Sequence, residues 1–372
     1  MTLQNFDGKN DTITPEQVQY WDNKHLIHPW SEFSEDSFDM TQVSRADGIY
    51  LYDAHGNKLI DGPGGMWCVN IGYGRKEMAD AISQQIMNMT YSSPWFTTNE
   101  PAAMLAKVIT EKTPGDLNRV FFSNGGSDAV DTALRFVQYR NNVIGKPDKK
   151  KILCREKGYH GSSYLAATVS GTGREHDRRY MDTHQDLAIM LPNINPYIRP
   201  SGTSLEEWCN EKISEMEETI LSIGSDKIGC FIAEPILASG GVIVPPSGYH
   251  QRSLELCKKH DIVYISDETV TGFGRLGHWF ASKEVFGIQP DIITCAKGLT
   301  SGYLPMGAAI ISERLIDNIK NKDGSQPFTN GYTYSCHPVA AKAALTNIDI
   351  MSRDSILEHV RKISPHFQNR LR

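Results

Sequence analysis

At 372 residues the chain is long for a single hydrophobic core, and 40% hydrophobic with 22% charged residues is a folded rather than a disordered composition. A net charge of −6, from 38 basic against 44 acidic residues, and the lack of any Lys/Arg-rich run argue against a nucleic-acid surface. No apolar stretch approaches the roughly 18 residues of a membrane span, and Met1-Thr2-Leu3-Gln4-Asn5-Phe6-Asp7 shows no signal-peptide pattern.

Residues 1–60 are polar and broken, with an antiparallel strand pair predicted at Gly48–Tyr52 and Lys58–Ile60 around the turn 53–57. A helix follows near 76–90, where Met78, Ile82, Ile86 and Met89 recur at helical spacing. From about residue 100, helices alternate with short apolar strands at Val120–Phe122, Lys151–Cys154, Ile228–Ala233, Ile262–Ser266 and Ile292–Cys295, and a further apolar segment covers Ala308–Ile311. That alternation predicts an α/β fold with a mainly parallel sheet and helices on both faces. Loops rich in Gly, Pro and Asp lie near 141–150, 171–186 and 195–205, and the chain reaches Arg372 inside an amphipathic helical pattern. The seven cysteines (Cys68, Cys154, Cys209, Cys230, Cys257, Cys295 and Cys336) are scattered, with no CxxC pair; they read as free thiols of a soluble cytoplasmic protein, not as disulfides or zinc ligands.

Five strands each hand over polar groups at the carboxyl end, where open α/β sheets bind ligands. After Val120–Phe122 comes Ser123-Asn124-Gly125-Gly126-Ser127 and then a helix carrying Ala129, Val130, Ala133, Leu134 and Val137. Gly125, Gly126 and Ser127 suit a phosphate at a helix start, or else a Gly-rich turn with Ser127 as cap. Lys151–Cys154 leads to Gly158-Tyr159-His160-Gly161, an aromatic residue able to lie on a ring, or a structural pair. Ile228–Ala233 ends in Glu234-Pro235; Glu234 can hydrogen-bond near a cofactor or pair with a basic neighbour. The two most telling residues are Asp267, after Ile262–Ser266, and Lys297, after Asp291-Ile292-Ile293-Thr294-Cys295-Ala296. Lysine is rarely buried without a partner or a task. An amine and a carboxylate so placed suit pyridoxal 5'-phosphate: the amine holds the aldehyde as a Schiff base, and the carboxylate keeps the pyridine nitrogen protonated. The run Gly272-Phe273-Gly274-Arg275-Leu276-Gly277 matches GxGxxG but neither follows a strand directly nor opens a convincing helix, so a nicotinamide reading is rejected.

Together these residues resemble the class III aminotransferases of the fold type I pyridoxal-phosphate enzymes, over roughly 45–350. The elements stand in the family's order: 123–129, Tyr159-His160-Gly161, Glu234-Pro235, Asp267-Glu268, Ala296-Lys297-Gly298 and Gly331-Tyr332-Thr333-Tyr334-Ser335. The resemblance implies Lys297 as the Schiff-base lysine, Asp267 as the pyridinium partner and Tyr159 as the stacking ring. It implies Gly125, Gly126 and Ser127 at the phosphate, His160, Glu234 and Thr269 about the cofactor, and Thr333 reaching the phosphate of a neighbouring subunit in a homodimer with shared sites. Residues 65–74 further resemble the amine (ω-amino acid):pyruvate branch, in which Trp67, Trp95 and Tyr159 would line the substrate pocket; Trp67 can equally be a buried structural residue.

Three departures stand out. Thr269 replaces an aliphatic residue on the ring face, and Cys336 replaces a glycine after Tyr-Ser. Family members also continue some tens of residues past position 372, where the small domain is completed and an arginine serves the acceptor's carboxylate. The implied organisation is 1–75 contributing to a small domain, 76–335 forming the large cofactor domain, and 336–372 starting an incomplete second part of the small domain. The implied activity is ping-pong transfer of an amino group from a primary amine or ω-amino acid to a keto acid, pyruvate first among them. The rivals are a diaminopelargonate, diamine or semialdehyde-type enzyme on the same scaffold, and a cofactor-binding remnant without turnover.

Overall fold

The computed structural model describes residues 2–4, 10–32, 40–171, 181–184, 186–320, 322 and 327–371. The chain divides into two compact units, one of 1–64 with 72–75, the other of 65–71 with 76–372.

The first unit holds an antiparallel pair, β1 (Thr2–Gln4) and β2 (Asn10–Thr12), the helix Pro15–His25, and a three-stranded sheet of β3 (Val43–Asp47), β4 (Tyr50–Asp53) and β5 (Lys58–Ile60). The predicted pair is β4 against β5, with Tyr50 opposite Ile60. Its turn is fixed by Asp53, whose carboxylate accepts from the backbone of His55 at 2.9 Å and of Asn57 at 2.8 Å. The strand β3 escapes a pattern search because Val43-Ser44-Arg45-Ala46-Asp47 carries almost no apolar alternation.

The second unit is built on a seven-stranded sheet: β6 (Leu117–Ser123), β7 (Lys151–Arg155), β8 (Ala188–Leu191), β9 (Ile228–Ala233), β10 (Val263–Asp267), β11 (Ile292–Cys295) and β12 (Gly307–Ser312). The spatial order is β6-β12-β11-β10-β9-β7-β8. All neighbours from β11 to β8 pair in parallel, whereas β12 is antiparallel to both β11 and β6. The reversal has a simple cause: residues 296–306 are too few for a crossover helix, which takes about a dozen residues or more. The mainly parallel sheet is therefore as the sequence predicts. The edge strand β8 is an addition, its short apolar run following a loop (171–186) most of which lies outside the described residues.

The central strands β9, β10 and β11 are buried along their whole length, which accounts for their unbroken apolar runs. Alternate residues feed two cores. Phe231 and Tyr264 pack with Met216, Ile220, Tyr249 and Cys257 from the helices Leu205–Ile223 and Tyr249–Lys259. Cys230, Ile232, Val263 and Ile265 pack on the opposite face with Val130, Leu134 and Val137 from the helix Gly126–Val143.

In the helix Lys76–Asn88, Met78 is buried and Ile82 packs on a core cluster, but the inward stripe then runs through Gln85 while Ile86 stays exposed. Gln85 tolerates burial by donating from Nε2 to the Met89 carbonyl at 3.1 Å. All seven cysteines are free, five of them buried. No helix among the described residues is long and apolar enough to cross a membrane.

Ile265 sits fully buried in the strand that ends at Asp267. Ile265→Ala is expected to lower the unfolding free energy by about 2–5 kcal/mol in denaturant titrations, the usual range for truncating a core isoleucine.

Candidate active site

Because β6, β7, β9, β10 and β11 all run the same way, their carboxyl ends gather five short segments at one edge of the sheet. From β6 the chain passes through Asn124 and Gly125 directly into the helix Gly126–Val143. Its cap residue is Gly125, which offers no side-chain cap bond, and Ser127 lies within the first turn. Ser127 is thus not the helix cap. Its Oγ accepts from the Ser162 backbone at 3.1 Å, which leaves the hydroxyl proton free to donate. Gly126 is required by close approach: a Cβ there would lie 2.9 Å from Thr269 Cγ2.

Asp267 closes β10 at 3% exposure. One carboxylate oxygen meets His160 Nδ1 at 2.7 Å; the other accepts from the Thr269 backbone at 3.1 Å and from Thr294 Oγ1 at 2.9 Å. Burial alone would push its pKa up, yet the His160 hydrogen bond and charge, with the Thr269 backbone N–H, bring it below the ordinary carboxylate value. In turn, burial disfavours protonated His160, but the bond to Asp267 outweighs it and raises the imidazole above its ordinary value. The result is a charged carboxylate in a dry setting.

Glu234, after β9, is buried and accepts from the backbones of Tyr159 at 2.8 Å and Ala238 at 3.0 Å, not from a basic side chain. Burial pushes its pKa up to about 7, with His160 pulling the other way. It fastens the Tyr159-His160 turn to the end of β9. Tyr159 is half-buried, its hydroxyl 3.0 Å from Ser162 Oγ.

Lys297 follows β11 with φ +40°, in the left-handed region, and opens a 3-10 turn over Lys297–Leu299. Its Nζ stands 5.1 Å from the centroid of the Trp67 ring. Burial lowers its pKa; Asp267 and Glu234 oppose that shift, and Arg275 adds to it.

The structure therefore brings Lys297, Asp267, His160, Glu234, Tyr159, Trp67 and the Gly125-Gly126-Ser127 turn to one edge of the sheet. Trp95 and Thr333 share no hydrogen bond or ring contact with these residues. Trp95 is 78% exposed beside Phe96, and Thr333 is exposed in a turn, its carbonyl accepting from Tyr91 Oη at 2.9 Å. Cys336, in the glycine position of that turn, takes up φ +58°, a strained choice for a residue with a Cβ. Thr294, Asn70 and Arg275 escape the sequence reading. Thr294 is hidden inside an apolar run. Arg275 lies in the Gly272–Gly277 segment, which folds back through Phe273 N to Trp279 O (2.7 Å) and Gly274 N to His278 O (2.9 Å) and opens no helix.

The donors fit pyridoxal 5'-phosphate. A buried hydroxyl without a partner, Thr269 Oγ1, flanks the glycine turn at the helix start and can donate to an anion there. A phosphate there would meet helix N–H groups and the Ser127 hydroxyl. Lys297 supplies a desolvated amine and Asp267 a fixed negative charge.

Comparison with known proteins agrees. The model of the class III aminotransferase family matches residues 33–372. The putrescine–pyruvate aminotransferase of Pseudomonas aeruginosa is 36% identical over 367 residues, 97% of this chain and 79% of that protein. Among solved structures, an (S)-enantioselective omega-transaminase from Thermomicrobium roseum superposes with a TM-score of 0.89 at 34% identity, covering 94% of this chain and 77% of that one. The omega transaminase of Pseudomonas jessenii in complex with PMP superposes at 0.88 with 33% identity, covering 92% and 76%.

The His160–Asp267 pair has a definite pH signature. Raised His160 stabilises the fold fully below its ordinary value of 6.5 and loses that contribution as pH rises through its folded value. Lowered Asp267 stabilises above 3.8 and loses that contribution as pH falls through its folded value. The stability difference between wild type and His160→Asn, followed by chemical denaturation, is therefore expected to peak between 3.8 and 6.5 and to shrink toward alkaline pH. A pH-independent difference would contradict an ionic pair.

Proposed function

The chain belongs to the class III aminotransferases, enzymes that depend on pyridoxal 5'-phosphate, and we propose that it transfers the amino group of a primary amine or ω-amino acid to a keto acid, with pyruvate as acceptor. The single observation that carries this reading is Lys297, a half-buried amine of lowered basicity that faces Trp67 and shares one sheet edge with the His160–Asp267 pair. The bound cofactor supplies a carbonyl for the amino group and a cationic ring that takes up the electrons of a broken carbon–hydrogen bond.

The chain's own residues supply the rest. Gly125, Gly126 and Ser127 bind the phosphate through helix-start N–H groups and a hydroxyl. Asp267, held ionised by His160, keeps a positive charge on the ring nitrogen. Lys297 Nζ, its pKa lowered by burial, takes a proton from the donor's amine-bearing carbon and returns one in the second step, as general base and then acid. Trp67 and Tyr159 wall the pocket and exclude water from that transfer. Donor and acceptor use the same site in turn, which makes the kinetics ping-pong.

The likeness to a putrescine–pyruvate aminotransferase supports both the amine donor and the acceptor. The exposure of Thr333 supports its role toward a second copy in a homodimer. Free, mostly buried thiols support a cytoplasmic setting.

Putrescine and pyruvate are expected to give alanine with wild-type protein. Lys297→Ala should cut that rate by about 10²–10⁴-fold or more; retained turnover would remove Lys297 from its role. In Asp267→Asn, the rate of proton transfer should fall further than cofactor affinity, read from single-turnover rates against binding titrations. Equal losses would mean that Asp267 serves binding alone.

A further inference from the structure

The turn that opens with Lys297 follows a strained backbone path. Lys297 (φ +40°) and Ser301 (φ +49°) both stand in the left-handed region, which disfavours residues with a Cβ. Such strain persists only where the surroundings over-determine it. Residues Gly298, Leu299, Thr300 and Ser301 are all buried, so the carbonyls of this turn need partners from the protein itself.

One side chain meets that need. Asn347, fully buried, lies in the helix Pro338–Arg353, whose Ala340, Ala341, Ala344 and Ile348 share a core cluster with Ile293, Cys295 and Leu299. Asn347 Nδ2 donates to the Gly298 carbonyl at 2.9 Å and to the Leu299 carbonyl at 3.0 Å. Its Oδ1 accepts from Ser301 Oγ at 2.7 Å. Met351 Sδ, a weak acceptor, lies 3.7 Å from the same nitrogen. Turned over, the amide would set its oxygen against two carbonyl oxygens, so these bonds fix its orientation.

A buried asparagine in mid-helix is a poor choice for packing alone. A second asparagine packs against the same turn: a Cβ on Gly298 would sit 2.5 Å from Asn70 Nδ2. That amide donates to the Phe273 carbonyl at 2.7 Å and accepts at Oδ1 from Arg275 Nη2 at 3.0 Å.

We propose that Asn347 is a positioning residue for the amino-group transfer: by holding the Gly298 and Leu299 carbonyls and the Ser301 hydroxyl, it keeps Lys297 in its left-handed conformation and aims the amine. The inference rests on the reading of Lys297 as the base, whereas the hold on the turn stands on the three bonds of Asn347. It acts through the backbone, and a displacement of about 1 Å at the amine is enough to cost about 10²-fold in rate.

The test uses the full chain, with and without cofactor. Asn347→Leu removes all three bonds at similar size, and Ser301→Ala removes one. Without cofactor, acetylation of Lys297 by acetic anhydride is followed against pH by peptide mass spectrometry. The groups whose charges bear on that amine are Asp267, Glu234, Cys68 and Arg275, and neither substitution alters them. Burial holds the wild-type amine below its ordinary 10.5, so Asn347→Leu is expected to move the labelling midpoint up toward that value as the amine swings outward. In the loaded enzyme, the single-turnover rate at saturating putrescine should fall about tenfold or more, while the putrescine concentration that gives half that rate stays the same. Ser301→Ala should show both changes to a smaller degree.

Either an unchanged labelling midpoint or an unchanged single-turnover rate in folded Asn347→Leu would overturn the inference, whatever stability the variant loses. If Asn347→Leu does not fold, Ser301→Ala decides alone: labelling and rate both equal to wild type contradict the proposal. A shifted midpoint in a protein whose wild type transfers no amino group would overturn the transaminase reading and leave the hold of Asn347 on Lys297 standing.

Discussion

A carboxylate kept ionised in a dry interior is the constraint on which the rest of this structure depends. Asp267 ends the most central parallel strand at 3% exposure, where an unsupported charge would be neutralised. Three groups prevent that: the His160 ring, the Thr294 hydroxyl and the Thr269 backbone. Each arrives from a different place in the chain. Thr294 comes from the adjacent strand in register, Thr269 from the turn that follows, and His160 from the loop after β7, two strands away. The His160 loop is itself pinned by Glu234 through the Tyr159 backbone. Parallel pairing is what lets all of them converge, since it stacks the strand ends on one edge.

Lys297 is the complement of that design. The same burial that must be overcome at Asp267 is left to act at Lys297, where it lowers the amine's pKa and makes its unprotonated form easier to reach. The positive φ of Lys297 and the small neighbours Ala296 and Gly298 are the local means of bringing the amine in at the end of a straight buried strand. Gly298 has a second duty, because its missing Cβ makes room for Asn70 and so for Arg275. The acid, the base and the cation thus come from three consecutive pieces of backbone between 267 and 298.

Much of this was legible in the sequence because buried parallel strands announce themselves as unbroken apolar runs, and a charged residue at the end of one is conspicuous. Asp267 and Lys297 stand out for that reason, as does the glycine turn before the helix Gly126–Val143. Other features left weaker traces. The strand β3 is mostly polar, β12 gives no sign of its direction, and Gln85 occupies an inward position that helical spacing of Met78 and Ile82 would assign to an apolar residue. Thr294 looks like a strand residue until its hydroxyl is seen on Asp267. Arg275 was obscured by the pattern around it, because a glycine motif whose usual context is missing draws attention away from the side chain it carries. Trp95, implied by family likeness to line the pocket, lies exposed in the single chain, as does Thr333, which the likeness assigns to a neighbouring copy.

The central claim is that Lys297 and its surroundings form a working pyridoxal 5'-phosphate site. The most direct measurement is the visible absorption spectrum of the purified protein titrated with the cofactor, wild type beside Lys297→Ala, before and after a primary amine is added. The account predicts an absorption band in wild type that is missing or shifted in Lys297→Ala and that bleaches when the amine enters. A wild type that develops no such band, or one whose band is unchanged by loss of Lys297, would contradict it.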